Sequence, residues 1–115
     1  TLPKSDKTIT NKTMIQDTIN NVRQWGTQKG ITGPEGKATG LSQFRKTLEE
    51  VEELCYAIEE NELPESKDAI GDTTVTLILL AELYGMTFEE CLKWAYSVIS
   101  QRTGQMVDGV FVKDK

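Results

Sequence analysis

The chain has 115 residues, a length that fits one domain with a single hydrophobic core. Hydrophobic residues make up 37% of it and charged residues 27%, a balance typical of globular rather than disordered proteins. The net charge of −5 argues against binding along a nucleic-acid backbone. The complete absence of histidine excludes Ser-His-Asp and Cys-His catalytic sites and most zinc chemistry.

No part of the sequence predicts insertion into a membrane. The longest apolar run, residues 75–83, contains Thr76 and Glu82 and falls far short of the roughly 20 residues that span a bilayer. A basic-then-apolar signal segment is also missing, so we expect a cytoplasmic protein with no membrane partner. Cys55 and Cys91 fall on apolar stripes and are expected to be reduced, structural thiols.

The spacing of apolar residues predicts four helices. The first is expected over residues 11–28, after a flexible segment at residues 1–8, and it is followed by a glycine- and proline-rich loop at residues 30–40. We interpret that loop as mobile. The second helix is expected over residues 42–61. The third begins at Pro64, which a first helical turn tolerates, and ends near Gly85.

The fourth helix has the clearest beginning, because Thr87 and Glu90 form a capping box, and it is expected to end near residues 102–104. Beyond it, apolar side chains alternate around Asp108-Gly109, which predicts a hairpin or an extended arm over residues 105–115. The sequence thus predicts an all-α four-helix bundle over residues 9–104. Its third helix is apolar almost all round, so we expect a homodimer or homotetramer.

Carboxylates are concentrated on the second helix. At about 100° per residue, Glu50 lies at the edge of an apolar stripe, and Glu53 follows one turn later on the same flank as Glu49. Glu52 and Glu59 are expected to face solvent. A glutamate-rich helix alone is usually a solvated face, so a second observation is needed. The apolar stripe consists of Phe44, Leu48, Val51, Leu54, Cys55 and Ile58.

The third helix supplies that observation. Asp68 and Asp72 lie one turn apart, on the side that continues into its apolar residues, and no lysine or arginine follows before Lys93. The alternative is that Asp68 favours the helix dipole and Asp72 bonds a hydroxyl. If the acids of the two helices meet, their repulsion calls for a cation, and an all-oxygen set selects Mg²⁺, Mn²⁺ or Ca²⁺.

The run Glu49-Glu50-x-x-Glu53, followed by Ala69-x-x-Asp72 and an apolar helical stretch, resembles the MazG-type nucleoside triphosphate pyrophosphohydrolases of the all-α NTP pyrophosphatase superfamily. The ending from Arg102 is similar to that of phage and prophage members. The resemblance implies hydrolysis of canonical or modified (d)NTPs to (d)NMP and pyrophosphate, dependent on Mg²⁺ or Mn²⁺, for cleansing or balancing nucleotide pools. In the family's ExxD pair, Ala69 replaces the first acid here, and Asp68 is the candidate substitute.

The resemblance also implies roles for individual residues. Glu50, Glu53 and Asp72 are the first-choice metal ligands, and Asp68 is a further one. Glu49 is expected to orient or deprotonate the attacking water, or to join a second metal.

Four more residues are candidates for binding the nucleotide. Lys46 and Arg102, which is expected on the core-facing side of the fourth helix, would hold phosphates or else form salt bridges. Trp25 and Tyr96 would stack on the base or else belong to the core. Two rival functions stay open: an enzyme specialised for dUTP, dCTP or phosphoribosyl-ATP, and a non-catalytic helical module that binds nucleotides or a protein.

Overall fold

The computed structural model describes the backbone of residues 6–115 and the side chains from residue 14 onward. The chain forms four helices: α1 (Asp6–Gln28), α2 (Gly40–Glu59), α3 (Leu63–Leu83) and α4 (Phe88–Ile99). A hairpin of two strands follows, β1 (Gly104–Val107) and β2 (Val110–Lys113). The four predicted helices and the C-terminal hairpin are confirmed, although α1 begins earlier than expected. The flexible segment predicted at residues 1–8 lies mostly outside the described residues. None of the described helices is both long and apolar enough to cross a bilayer.

Local sequence accounts for most element boundaries. The predicted capping box of α4 is present: the Glu90 amide donates to Thr87 Oγ1 at 3.1 Å, and the Glu90 carboxylate accepts from the Thr87 amide at 3.0 Å. A second box formed by Thr39 and Ser42 starts α2. The hairpin turns at Asp108 and Gly109, both with positive φ, as a two-residue turn between twisted strands requires.

Helix α3 is the centre of the fold. It packs along α2 and also lies against α1 and α4, whereas the backbones of α1, α2 and α4 do not pack on one another within the described residues. The apolar core is correspondingly small and consists of Ala57, Ala69, Ile78, Leu79 and Ala81. The fold is therefore mainly helical, as predicted, and within the described residues the other three helices each pack on α3 alone.

The face of α2 that packs on α3 differs from the predicted one. It presents Gln43, Thr47, Glu50 and Ala57, while most of the predicted apolar stripe is exposed. Thr47 Oγ1 donates to Thr76 Oγ1 at 2.9 Å, and Gln43 Nε2 donates to the Thr76 carbonyl at 3.2 Å. Short side chains that hydrogen-bond across the contact let the two helices approach closely, and this arrangement leaves the apolar stripe without cover in one chain.

One further prediction differs from the structure. Cys55 and Cys91 are both exposed in the chain rather than buried structural thiols.

The loop at residues 30–40 is folded against the end of α1. The Ile31 amide donates to the Gly26 carbonyl at 2.9 Å, the Lys37 amide donates to the Gly30 carbonyl at 2.9 Å, and Thr32 is buried. These hydrogen bonds hold one folded conformation of the loop, and its mobility stays a prediction.

Gly26 allows α1 to lie directly on the core. A Cβ at this position would collide with the buried Leu79 side chain and lie 3.2 Å from Thr32 Oγ1. We expect Gly26→Ala to lower the free energy of unfolding by about 1–2 kcal/mol, because overpacking outweighs the gain in helix propensity. Gly71, also helical, has open space around its Cβ position, so Gly71→Ala should raise stability by about 0.5–1 kcal/mol. Urea unfolding measures the change in stability of both variants. Equal changes for Gly26→Ala and Gly71→Ala would contradict the close packing of Gly26 on Leu79.

A bidentate ion pair ties α1 to α4. Arg23 Nη1 and Nη2 donate to the two carboxylate oxygens of Glu89 at 2.6 Å, and Gln16 Nε2 donates to the same carboxylate at 2.6 Å. The hydrogen bond from Arg23 is the main cause that lowers the pKa of Glu89 from 4.5 to about 2. The pair therefore contributes its stability above pH 4.5, and that contribution disappears as the pH falls from 4.5 towards 2.

Removing this carboxylate should change acid unfolding. We expect Glu89→Gln to lower the free energy of unfolding by about 1–2 kcal/mol at pH 7, a modest effect because the pair is partly exposed. At pH 2 we expect almost no effect, because strong acid protonates the carboxylate in the unmodified protein as well. Chemical unfolding at a series of pH values measures the difference. Glu35→Gln, in the exposed part of the loop, is the control. A cost for Glu89→Gln that does not vary with pH would show that the ion pair is not its source.

Candidate acidic site

A groove of about 650 Å³ lies between α2 and α3. Carboxylates dominate its walls, and none of its lining residues is basic. A single-sign groove of this kind attracts cations and repels free phosphates unless a metal accompanies them. The acids that line it are Glu49, Glu52, Glu53, Glu62, Glu65, Asp68 and Asp72, with Tyr56, Ala57 and Ala69 between them.

Four of the residues singled out from the sequence meet here: Glu49, Glu53, Asp68 and Asp72. Glu52, which was expected to face solvent, is exposed and also lines the groove. Glu62 and Glu65 were missed, although their spacing contains the signal. Residues 62, 65, 68 and 72 recur at intervals of three or four, which places them along one side of α3.

Glu50 occupies a different position from the other acids. The residue is 8% exposed and lines a smaller cavity of about 250 Å³, together with Trp25, Lys46 and Asp72. Asp72 lines both cavities and so links them. Glu50 Oε2 is buried and has no hydrogen-bond partner within the described residues. A buried carboxylate oxygen without a donor costs at least about 1–3 kcal/mol, so this atom calls for a cation or a proton.

Lys46 is the basic residue beside these acids. Its Nζ lies 3.2 Å from Glu49 Oε1 and 3.4 Å from Glu50 Oε1. The hydrogen bond to Glu49 is the main cause that raises the pKa of Lys46, so the ammonium is fully charged at neutral pH. The salt-bridge interpretation of Lys46 is therefore confirmed. One ammonium does not neutralise the several carboxylates around it.

Glu53 titrates under the influence of its neighbour one turn away. The hydrogen bond that it shares with Glu50 and the charge of Glu50 raise the pKa of Glu53, and Glu49 adds to the effect. This raised pKa reflects repulsion between neighbouring carboxylates, which a bound cation would relieve.

The donor set fits a hard divalent cation in its chemistry. It consists of carboxylate oxygens, one of them orphaned, as Mg²⁺ and Mn²⁺ prefer. The positions are not those of a formed site, because no three acidic or thiol side chains in the described residues converge on one point. Glu50 and Glu53 already approach each other, so binding a metal requires the side chain of Asp72 to turn towards this pair.

The remaining candidates divide into two groups. Trp25 borders the smaller cavity, next to Lys46 and Glu50. Tyr96 lines a separate shallow cavity with Glu89, Leu92 and Lys93, away from the acids. Arg102 follows α4 instead of ending it, is exposed, and lines neither acidic cavity. The structure therefore brings Trp25 and Lys46 to the acids but leaves Tyr96 and Arg102 apart from them in a single chain.

Comparison with known proteins gives a phage relative. The chain is 34% identical over 68 residues to an uncharacterized 18.2 kDa protein in the rep-hol intergenic region of Haemophilus phage HP1. The match covers 59% of this chain and 40% of the phage protein, so the chain spans about two fifths of that protein's length. No family model and no solved structure matches the chain. Likeness to a phage protein agrees with the phage or prophage type that the ending suggested.

Proposed function

We propose that this protein hydrolyses nucleoside triphosphates to nucleoside monophosphates and pyrophosphate with Mg²⁺, and that Mn²⁺ replaces Mg²⁺. The observation that carries the proposal is the buried, unpartnered Glu50 Oε2, in a small cavity that shares Asp72 with the acidic groove lined by Glu53. Such a set is stable when a divalent cation neutralises it. A bound Mg²⁺ keeps open positions that phosphate oxygens occupy, which leads from an acidic groove to phosphate chemistry.

Each residue then has a distinct task. Glu50, Glu53 and Asp72 would hold the metal, which when bound supplies charge neutralisation for the phosphates and lowers the pKa of water. Glu49, which accepts a hydrogen bond from Lys46, would accept a proton from the attacking water or orient it. Trp25 offers an aromatic face for the base at the mouth of the smaller cavity.

The replacement of an expected acid by Ala69 affects how tightly the proposed site would bind its metal. Ala69 is buried and lines the groove between Asp68 and Asp72. Asp68 lies in the same groove one position earlier and is the residue that would replace the missing acid. A site with one direct ligand fewer binds its metal more weakly, so we expect activity to require millimolar rather than micromolar Mg²⁺.

A panel of canonical and modified (d)NTPs, with Mg²⁺ or Mn²⁺, tests the proposed function. We expect at least one nucleotide to yield equimolar monophosphate and pyrophosphate, and Glu53→Gln to abolish the release. Glu59→Gln is the matched control, because this exposed glutamate lies on the same helix outside the groove. Formation of diphosphate and inorganic phosphate would contradict cleavage between the α- and β-phosphates.

A non-catalytic nucleotide-binding module is the second candidate, and Ala69 together with the unconverged carboxylates of the described residues favours it. The same panel separates the two functions. A chain that binds a nucleotide with its metal but turns over none of them, with either ion, is a binding module and not an enzyme.

A further inference from the structure

A row of exposed side chains on α2, five of them from the predicted apolar stripe together with Leu41, has the spacing of a coiled-coil seam. Its members are separated alternately by three and four residues over two and a half heptads, which matches the a and d positions of a heptad repeat. In a lone chain these side chains are largely exposed, from 44% for Val51 to 59% for Ile58. The six positions are Leu41, Phe44, Leu48, Val51, Cys55 and Ile58, and we call this set the α2 seam.

The chain exposes far more surface than a compact protein of its mass. Its accessible surface is 9285 Å², whereas a folded monomer of 12.9 kDa has about 6,300 Å². The radius of gyration is 17.3 Å against about 13 Å for a compact domain of this length. The excess is roughly 3,000 Å², whereas each partner of an obligate dimer buries about 1,000–2,500 Å², so the surface suffices for a stable dimer and is larger than a short peptide would cover.

We propose that a second copy of this chain covers the α2 seam, with the two α2 helices antiparallel about a twofold axis between Glu49 and Glu50. In this register every apolar position meets another: Leu41 lies opposite Ile58 of the partner subunit, Phe44 opposite the partner's Cys55, and Leu48 opposite the partner's Val51. No other antiparallel register pairs all six, because shifting by one heptad leaves apolar residues unpaired. A self-complementary surface is what a twofold interface requires.

Charge supports the same arrangement. The e positions beside the seam are Arg45, Glu52 and Glu59, and antiparallel helices bring e positions of the two chains together. Arg45 is exposed and has no ion-pair partner within its own described chain. In the proposed register it lies near the partner's Glu52, so two symmetric pairs flank the central layer.

The seam continues into a second uncovered apolar surface. A groove of about 460 Å³ between α3 and α4 has no charged lining residue, and Tyr84 forms part of its wall. The Tyr84 hydroxyl also lies against Gly40, at the start of α2. Two chains that each carry a net charge of −5 meet most readily over an uncharged surface like this one. The continuity of seam and groove favours a partner of the size of a whole chain.

Disulfide trapping tests the register. In a Cys91→Ser background, we expect Phe44→Cys to form an intermolecular disulfide with the partner's Cys55 under mild oxidation, giving a covalent dimer on a non-reducing gel. Without the added cysteine the chain should stay monomeric on that gel, because antiparallel packing keeps the two Cys55 thiols apart. Tyr56→Cys, on the same helix but off the seam, is the control and should not cross-link. A Cys55–Cys55 disulfide, or none with Phe44→Cys, overturns the proposal.

Analytical ultracentrifugation of charge-reversed variants tests the interface without disulfide cross-linking. We expect an assembly of two or an even number of chains, and Leu48→Glu should raise its dissociation constant by at least about 100-fold. Arg45→Glu should raise it about tenfold, and adding Glu52→Arg should restore it. A monomeric unmodified chain, no effect of Leu48→Glu, or no rescue in the double variant each overturns the proposal. If Leu48→Glu fails to fold, the Arg45→Glu/Glu52→Arg double variant and the Phe44→Cys disulfide still test the proposed interface.

Discussion

Replacing Asp72 by asparagine is expected to reduce pyrophosphate release by at least about 1,000-fold, equivalent to roughly 4 kcal/mol of transition-state stabilisation. Asp72 is the one acid that lines both the large groove and the smaller cavity that holds Glu50. The substitution keeps the size of the side chain but removes the charge with which α3 would bind the metal. Initial rates at saturating Mg²⁺ and nucleotide measure the effect.

The control for Asp72→Asn is Glu65→Gln, which removes a carboxylate from the same helix and the same groove. Glu65 is not among the proposed ligands, so we expect its loss to change the rate by less than about tenfold. An equal loss in both variants would mean that the groove acts through its overall charge. In that case the proposed division into metal ligands and bystanders would be wrong.

Leu79→Ala is expected to have the largest effect on stability. Leu79 is 1% exposed and is the largest fully buried side chain among the described residues. It fills the space that Gly26 leaves open on α1 and borders the smaller cavity on its other side. Truncation removes core contacts and enlarges that cavity, at a cost of about 2–5 kcal/mol. In a core with so few buried apolar residues, this loss threatens folding itself.

Chemical unfolding at a fixed protein concentration measures the cost, because the stability of an oligomer depends on concentration. Ile70→Ala is the matched control, since Ile70 lies on the same helix but is 56% exposed. We expect that control to change stability by less than about 1 kcal/mol. A small effect of Leu79→Ala would show that the core of the functional protein lies elsewhere, between chains.

The elements of this fold were predictable because their signals are local. The capping box at Thr87 and Glu90 and the turn at Asp108-Gly109 act through neighbouring backbone groups, and the structure contains both. Packing was less predictable. The sequence alone favoured burying Phe44 and Leu48 against α3, yet Thr47 and Gln43 make that contact through hydrogen bonds to Thr76.

The orientation of α2 also determines where its glutamates lie in the candidate site. Hydrophobic periodicity identifies a face that needs cover but does not tell whether another helix of the same chain or another chain provides it. With the α2 seam turned outward, Glu50 points into the chain and Glu49 and Glu53 face the groove. Spacing placed Glu53 on one flank of α2 and Asp68 and Asp72 on one side of α3, whereas the packing of the two helices brings these acids to one groove. The separate, buried position of Glu50 depends on tertiary packing and was not predictable.

Titration with Mn²⁺, followed by the electron paramagnetic resonance signal of the free ion, tests the proposed metal site most directly. We expect the unmodified protein to remove Mn²⁺ from solution, Mg²⁺ to compete for the same site, and Glu50→Gln or Glu53→Gln to weaken binding at least about tenfold. Glu59→Gln should bind as the unmodified protein does. Two results would contradict a metal site at these carboxylates. One is a free-ion signal that the unmodified protein leaves unchanged. The other is a signal that Glu50→Gln and Glu53→Gln each reduce as much as the unmodified protein does.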